Sequence, residues 1–262
     1  MKFVKMQGLG NDYLYFFGAV PFDVKQKAIE WSDRHFGVGS DGLIYIDRAL
    51  DADFSMRIFN ADGSEAKMCG NGIRCVGKYV FDKGYTDKTE ITVKTLSGVK
   101  TLDMEIEDGA VKNVTVQMGK ASVGKTFSTN AVDRQFDFSP VSVGNPHIVT
   151  FVSDVEILDI QKYGSKMEKC EFFPDGVNVE FVQKTENGLR MRVWERGSGI
   201  TLACGTGATA TVATAIKRGI VSANEFVSVI LDGGTLFIKG DDQLNMTMKG
   251  PAEFVCEGDI YD

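Results

Sequence analysis

"MRIFNADGSEAKMCGNG", residues 56–72, and "MRVWERGSGITLACGTG", residues 191–207, fall on one another without a gap when the chain is shifted by 135. Met56 meets Met191, Arg57 meets Arg192 and Cys69 meets Cys204. Gly70 and Gly72 meet Gly205 and Gly207, and farther on Gly84 meets Gly219. At a shift of 134, "GN" at 10–11 falls on "GN" at 144–145, and "DG" at 41–42 falls on "DG" at 175–176. Matched blocks in one order and at nearly one offset mark an internal repeat. The chain therefore reads as two similar halves related by a pseudo-twofold. They cover 1–117 and 118–254, and the C-terminal residues 255–262 can return to the first half. The stretch 119–140 is the expected crossing between them.

Composition bounds what such a protein can be. It has 262 residues, 43% of them hydrophobic, enough to core one large or two small domains. Net charge is −7 and no Lys/Arg cluster stands out, so nucleic acid and anionic membrane are not expected partners. No apolar run reaches the ~18 residues of a membrane span. The start, "MKFVKMQGLGNDY", lacks the apolar core and cleavage site of a signal peptide, which points to the cytoplasm. Five cysteines form no disulfide framework, and two histidines without a CxxC leave a zinc site unexpected.

Short runs rich in Val, Ile and aromatics predominate, among them "KFVKMQ", "GLIYI", "FSMRIFN", "ITVKTL", "NVEFVQ" and "LRMRVWE". Helical spacing is predicted over "DVKQKAIEWSDRHF", with Val24, Ala28, Ile29 and Trp31 on the apolar positions. "GIRCVGKYVFDKG" and "GATATVATAIKRG" each follow a GxG and each end at a Gly, the pattern of a capped stop. The mixture predicts an α+β fold with mostly antiparallel or mixed sheet.

The repeat places a cysteine at the start of a helix twice. Helix N-termini carry N–H groups without intrahelical partners and partial positive charge. Such an end lowers a thiol's pKa and binds a carboxylate, while glycine lets backbone approach a ligand closely. Two facing copies would hold one substrate carboxylate with a sulfur on each side of the neighbouring carbon. One thiolate then takes the α-proton and the opposite thiol returns one to the other face. Cys75, Cys170 and Cys256 lack this context and read as structural thiols. "GTGATA" also fits GxGxxA, but Glu225 precedes a strand-like run instead of ending one, so a dinucleotide site is not expected.

The chain resembles the diaminopimelate epimerases, of the cofactor-independent amino-acid racemase class, over essentially its whole length. The resemblance is carried by "KMQGLGNDY" at the start, "GVGSDGL" at 37–43, "RIFNADGSEAKMCGNGIRC" at 57–75, "GNPH" at 144–147, "VNVEF" at 177–181 and "ERGSGITLACGTGATA" at 195–210. It implies two pseudo-symmetric domains, each a sheet wrapped around a central helix, with the active site in the cleft between them. It implies conversion of LL-2,6-diaminopimelate to the meso form for lysine and cell-wall synthesis, by a homodimer, with no cofactor and no metal.

By the same resemblance, Cys69 and Cys204 are the acid/base pair. Asn11, Asn60, Asn145 and Asn178 bind substrate, and Gly70, Asn71, Gly205 and Thr206 cradle the reacting carboxylate. Glu195 and Arg196 hold amino and carboxylate groups, with His147 and Glu195 supporting. Such groups suit a substrate with a zwitterion at each end, since Arg forks onto carboxylate and Asn both donates and accepts. Gly42 stands where some members carry a Gln, so contact there would come from backbone. Cys256 stands where other members have a large aromatic at dimer contacts. Two other readings stay open: a proline or hydroxyproline racemase, and an inactive binding protein on the same scaffold. The first usually has His where this chain has Asn71 and lacks the Glu195–Arg196 pair. The second would be expected to have lost a thiol or a glycine.

Overall fold

The computed structural model describes residues 1–261. The chain is α+β and divides into two compact units, Met1–Gln117 together with the segment from Gly250 onward, and Met118–Lys249. Residues 250–254, expected in the second half, thus group with the first.

In the first unit, β1 (Lys2–Gly8) pairs antiparallel with β2 (Asn11–Phe17). Helix α1 (Val24–Ser32) then leads to β3 (Gly42–Arg48), which lies parallel to β2. β4 (Phe54–Asn60) returns antiparallel on β3, and the short β5 (Glu65–Ala66) folds back on β4. Helix α2 (Gly70–Asp82) follows. Next come β6 (Glu90–Thr95), parallel to β4, then β7 (Gly98–Glu107) and β8 (Ala110–Lys120) in an antiparallel meander.

The second unit repeats this order. β9 (Ser122–Val123), β10 (Phe127–Ala131) and β11 (Arg134–Ser142) precede β12 (Pro146–Phe151). Helix α3 (Ile160–Glu168) leads to β13 (Asn178–Thr185), parallel to β12. β14 (Gly188–Glu195) and β15 (Gly199–Ile200) are antiparallel, and α4 (Gly205–Lys217) follows. β16 (Val227–Leu231) is parallel to β14, and β17 (Gly234–Gly240) and β18 (Asn245–Gly250) complete the meander. β19 (Glu253–Asp259) pairs with β1 and belongs to the first unit. The segment 119–140, expected as a crossing, is largely strand.

Strand register sharpens the repeat. Leu14 faces Leu43 and Ile148 faces Val179; Leu43 faces Phe59 and Val179 faces Trp194. The offset is therefore 134 in β2/β12, 136 in β3/β13 and 135 in β4/β14. Gly42 corresponds to Asn178, not to Gly176, so the "DG" match at a shift of 134 is corrected. It was a chance match: β3 starts at Gly42 itself, whereas β13 starts at Asn178, two positions beyond Gly176.

Both long helices are enclosed. In α2, Ile73, Cys75, Val76 and Val80 are fully buried, and even Arg74 is, donating to Gly70 O, Asn71 Oδ1 and Pro251 O. Small residues fill α4, where Ala208, Ala210, Val212, Ala213 and Ala215 are fully buried. Thr209 and Thr214 bury their hydroxyls by donating back to Gly205 O and Ala210 O, which removes the cost of an unmet polar group. Each helix stops in the same way. Tyr85 N–H reaches Val80 O and Gly84 N–H reaches Phe81 O, with Gly84 at φ +74; Ile220 reaches Ala215 O and Gly219 reaches Ile216 O, with Gly219 at φ +67. This is the double-bonded stop that favours glycine in the left-handed region.

Two departures from the sequence pattern have local causes. The first helix ends at Ser32, short of the predicted Phe36, because Asp33 Oδ1 captures the N–H groups of His35 and Phe36 in a turn of its own. Ile29 is accordingly half-exposed at 47%. α3 has too few apolar residues to read as a helix; its signal is Asp159 at the N-cap, accepting from Lys162 N–H.

Candidate functional site

Cys69 and Cys204 are the N-cap residues of α2 and α4. Each has extended backbone, and each sulfur accepts the N–H of the glycine three residues on, Gly72 or Gly207, at 3.3 Å. Sulfur thus takes the place of the oxygen that usually caps a helix. Gly70 and Asn71, and Gly205 and Thr206, form the first turns, where N–H groups point out of the helix end. Cys204 is buried and Cys69 partly exposed.

In the first unit the strands bring Asn11, Tyr13 and Asp41 to Cys69. Asp41 Oδ2 accepts from Asn11 Nδ2 at 2.7 Å, which turns Asn11 Oδ1 to the Cys69 sulfur at 3.3 Å. A carboxylate only accepts, so Asp41 leaves Asn11 offering an acceptor and the Cys69 thiol donates to it. Tyr13 is 5% exposed, and burial pushes its phenol well above the ordinary value, helped by charge on Cys69 and Asp41. Asn60 donates to Ser64 Oγ, and Asn71 Oδ1 accepts from Arg74. Gly42, at φ +152, lies so close to Phe59 O that a Cβ would come within 2.1 Å of it. Its N–H and carbonyl both engage Ser40 Oγ.

In the second unit the arrangement has the opposite polarity. His147 Nε2 lies 3.0 Å from Asn145 Oδ1, so Asn145 Nδ2 turns to Thr206 Oγ1 at 3.3 Å, and Thr206 Oγ1 lies 3.5 Å from the Cys204 sulfur. Glu195 accepts from the Thr201 hydroxyl; burial raises its pKa, and the charge on Glu180 adds to this. Burial likewise drives the Cys204 thiol well above its ordinary value, with Glu195 and Glu180 adding to the push. Asn178 donates to Pro146 O and accepts from Arg196 N–H, tying the "GNPH" turn to the "ERG" loop. Arg196 is exposed, with Nη1 3.4 Å from Asp175 O and its stem packed over Gly176. Glu168, at the end of α3, supports the same loop through Trp194 Nε1 and Gly197 N–H.

The structure therefore gathers Asn11 with Cys69, and Asn145, His147, Thr206 and Glu195 with Cys204. Asn178 and Arg196 sit together one step farther along their loop. Sequence reasoning missed Tyr13, Asp41, Glu180 and Thr201. For Tyr13 a signal existed, since His147 shifted by 134 lands on it. Among the described residues no group of three or more His, Cys, Asp or Glu is placed to hold a metal ion.

The fold is that of known epimerases and their relatives. A PhzF-family phenazine biosynthesis protein from Bacillus anthracis superposes with a TM-score of 0.81 at 14% identity, covering 100% of this chain and 99% of that one. A hydroxyproline epimerase from Agrobacterium vitis gives 0.76 at 17% identity, covering 98% and 91%. Sequence carries the assignment further: the diaminopimelate epimerase profile matches residues 3–124 and 139–255. A diaminopimelate epimerase from Bacteroides thetaiotaomicron is 50% identical, covering 99% of this chain and 98% of its own, and one from Acetivibrio thermocellus is 46% identical over the same shares. The chain belongs to the diaminopimelate epimerase family.

Proposed function

We propose that the chain interconverts LL-2,6-diaminopimelate and meso-diaminopimelate by moving one proton at Cα. The observation that supports this most is the doubled N-cap cysteine, each sulfur set beside the first turn of a helix. The groups that bind the reacting carboxylate are the helix-end N–H groups at Gly70 and Asn71 and those at Gly205 and Thr206. One thiolate breaks the Cα–H bond and keeps the proton. The other thiol's S–H breaks and delivers its proton to the opposite face of the same carbon. The helix-end amides stabilise the charge that develops on the carboxylate in between.

Cys204 starts as a thiol, since burial disfavours its charge. Glu195 is its neighbour and takes that proton as the thiolate forms, while the Thr206 hydroxyl donates to the sulfur. Asn178 and Arg196 meet the distal amino-acid head. The two units differ there: Asn178 has only Gly42 as its counterpart, and Glu195 and Arg196 fall on Asn60 and Ala61. A substrate with its distal head on one side needs that difference. In the same reading the enzyme serves lysine and peptidoglycan precursor synthesis in the cytoplasm, works as a homodimer and uses no pyridoxal phosphate. Among the described residues no helix is long and apolar enough to cross a membrane.

Incubation with LL- or meso-diaminopimelate in deuterated water tests the reading. Deuterium at Cα and interconversion of the two forms are expected, with both lost in Cys69→Ala and in Cys204→Ala. Near-normal turnover by either single variant, or exchange with proline in place of diaminopimelate, would overturn it.

A further inference from the structure

Glu180 lies on β13 and is fully buried. Its Oε1 is 2.7 Å from His147 Nδ1, and its Oε2 has no hydrogen-bond partner among the described residues. Holding His147 is thus what this buried carboxylate does in the free protein. It also lies directly under the first turn of α4, because a Cβ on Gly207 would come within 2.8 Å of Oε1. The repeat counterparts are Tyr13 for His147 and Ile44 for Glu180, the latter touching Gly72 as Glu180 touches Gly207. The first unit therefore has no such pair, and Asp41 anchors its asparagine in the reverse sense.

We propose that Glu180 is a positioning residue: through His147 it holds Asn145 so that the Thr206 hydroxyl turns its hydrogen to the sulfur of Cys204. The argument is one of donors and acceptors. Asn145 Nδ2 is on Thr206, so the group facing His147 is a carbonyl oxygen, which only accepts. His147 Nε2 must carry a hydrogen. With Glu180 at Nδ1, two arrangements meet that requirement: an imidazolium against a carboxylate, or a neutral ring accepting from a protonated carboxyl. Both leave the hydrogen on Nε2. The third arrangement, Nδ1–H donating to a carboxylate with Nε2 bare, would set two acceptors against one another at 3.0 Å, so the Asn145–Thr206 contact excludes it, and Glu180 supplies the contact that anchors the ring at Nδ1. Asn145 then donates to Thr206, whose own hydrogen is left for the sulfur 3.5 Å away. A donor there stabilises the thiolate that the proposed epimerase reaction, on which this assignment rests, demands of Cys204.

The test uses the wild type, Glu180→Leu, Glu180→Gln and Thr206→Val. The chain has only two histidines, so nitrogen-15 histidine spectra resolve the His147 ring. The wild type is expected to carry hydrogen on Nε2. Glu180→Leu leaves Nδ1 without that partner and the ring unanchored, and is expected to shift the His147 ring resonances, to slow alkylation of Cys204 relative to Cys69 about tenfold, and to lower kcat by at least about as much with KM little changed. Glu180→Gln is expected to restore most of both rates, because its amide donates to Nδ1 and keeps the hydrogen on Nε2. Thr206→Val should slow Cys204 alkylation with the His147 spectrum unchanged. A wild-type His147 with bare Nε2 overturns the proposal even if Glu180→Leu fails to fold. So does a Glu180→Gln protein as impaired as Glu180→Leu, which would make charge and not position the role, or a Thr206→Val protein with Cys204 unaffected. Failure of the epimerase reading would show separately, as absence of wild-type exchange on diaminopimelate, and the spectra and alkylation ratios would still decide the role of Glu180.

Discussion

His147 Nδ1 and Glu180 Oε1 lie 2.7 Å apart with both side chains fully shielded from solvent. A buried ionisable pair is costly to break, because the partner left behind has no water to turn to. The contact joins β12 to β13, neighbouring parallel strands in which His147 faces Asn178. It therefore ties the strand bearing the "GNPH" turn to the floor beneath α4.

Gly207→Ala is expected to be destabilising by about 1–3 kcal/mol and to reduce turnover, since the new methyl would press on Glu180 Oε1 at 2.8 Å and on the Cys204 sulfur at 3.2 Å. Gly77→Ala is the control. Its methyl would meet apolar side-chain atoms in place of a carboxylate, Leu102 Cδ2 at 3.2 Å, Val114 Cγ1 at 3.3 Å and Met104 Sδ at 3.5 Å, and Ala favours a helix interior. Thermal melts of the two variants should separate clearly, and equal melting temperatures would contradict this account.

Glu195→Gln is expected to trade activity for stability. Burial raises the folded pKa of Glu195 above its ordinary 4.5. Below that value the residue is neutral in folded and unfolded chains alike. As pH rises, the unfolded chain ionises first, and the stability held by the neutral form is lost through the folded pKa. Gln stays neutral throughout. At pH 8 the variant should melt higher, on the order of 3 °C, with the gap closing below pH 4.5, while epimerisation falls steeply. A variant that melts lower at pH 8 would contradict the sign.

Asp41→Asn addresses the other half. Asn11 now has its Nδ2 held by Asp41, which leaves an acceptor for the Cys69 thiol. A neutral partner that can also donate lets Asn11 turn over and donate to sulfur instead. Cys69 alkylation should quicken by about fivefold, as one hydrogen bond changes sense, with Cys204 unaffected. Cys75 stays slow in every variant, because burial pushes its thiol up to about 11. Slower alkylation of Cys69 would show that Asp41 does not set the polarity.

Arg196→Lys keeps the charge and loses the fork. The fold should be unchanged by circular dichroism, since the side chain is exposed, its guanidinium makes a 3.4 Å contact to Asp175 O, and Lys keeps the stem that packs over Gly176. Diaminopimelate turnover should fall by on the order of 2 kcal/mol in kcat/KM. Normal kinetics would remove Arg196 from the distal head.

Helix ends are local, and local chemistry is legible. Cysteine, glycine spacing and the terminal glycines lie within one contiguous stretch each, so the repeat, both N-cap thiols and both helical stops could be read from residue order. The surroundings of each sulfur could not. Asn11 and Asp41 are 30 residues apart, and His147 and Glu180 are 33 apart; each pair is joined only by strand pairing. Strand register is decided by the packing of whole sheet faces. It turned a "DG" match into a chance coincidence and set Asn178 opposite Gly42 in the repeat. Asp33 ending α1 and Glu180 under Gly207 belong to the same kind. A turn that outcompetes a helix, or a carboxylate that fits only where a glycine leaves room, exists only once the backbone has been brought together. The two thiols were written in the chain, whereas the opposite polarities of the hydrogen bonds around them were decided by which strand residues the fold brings beside each helix end.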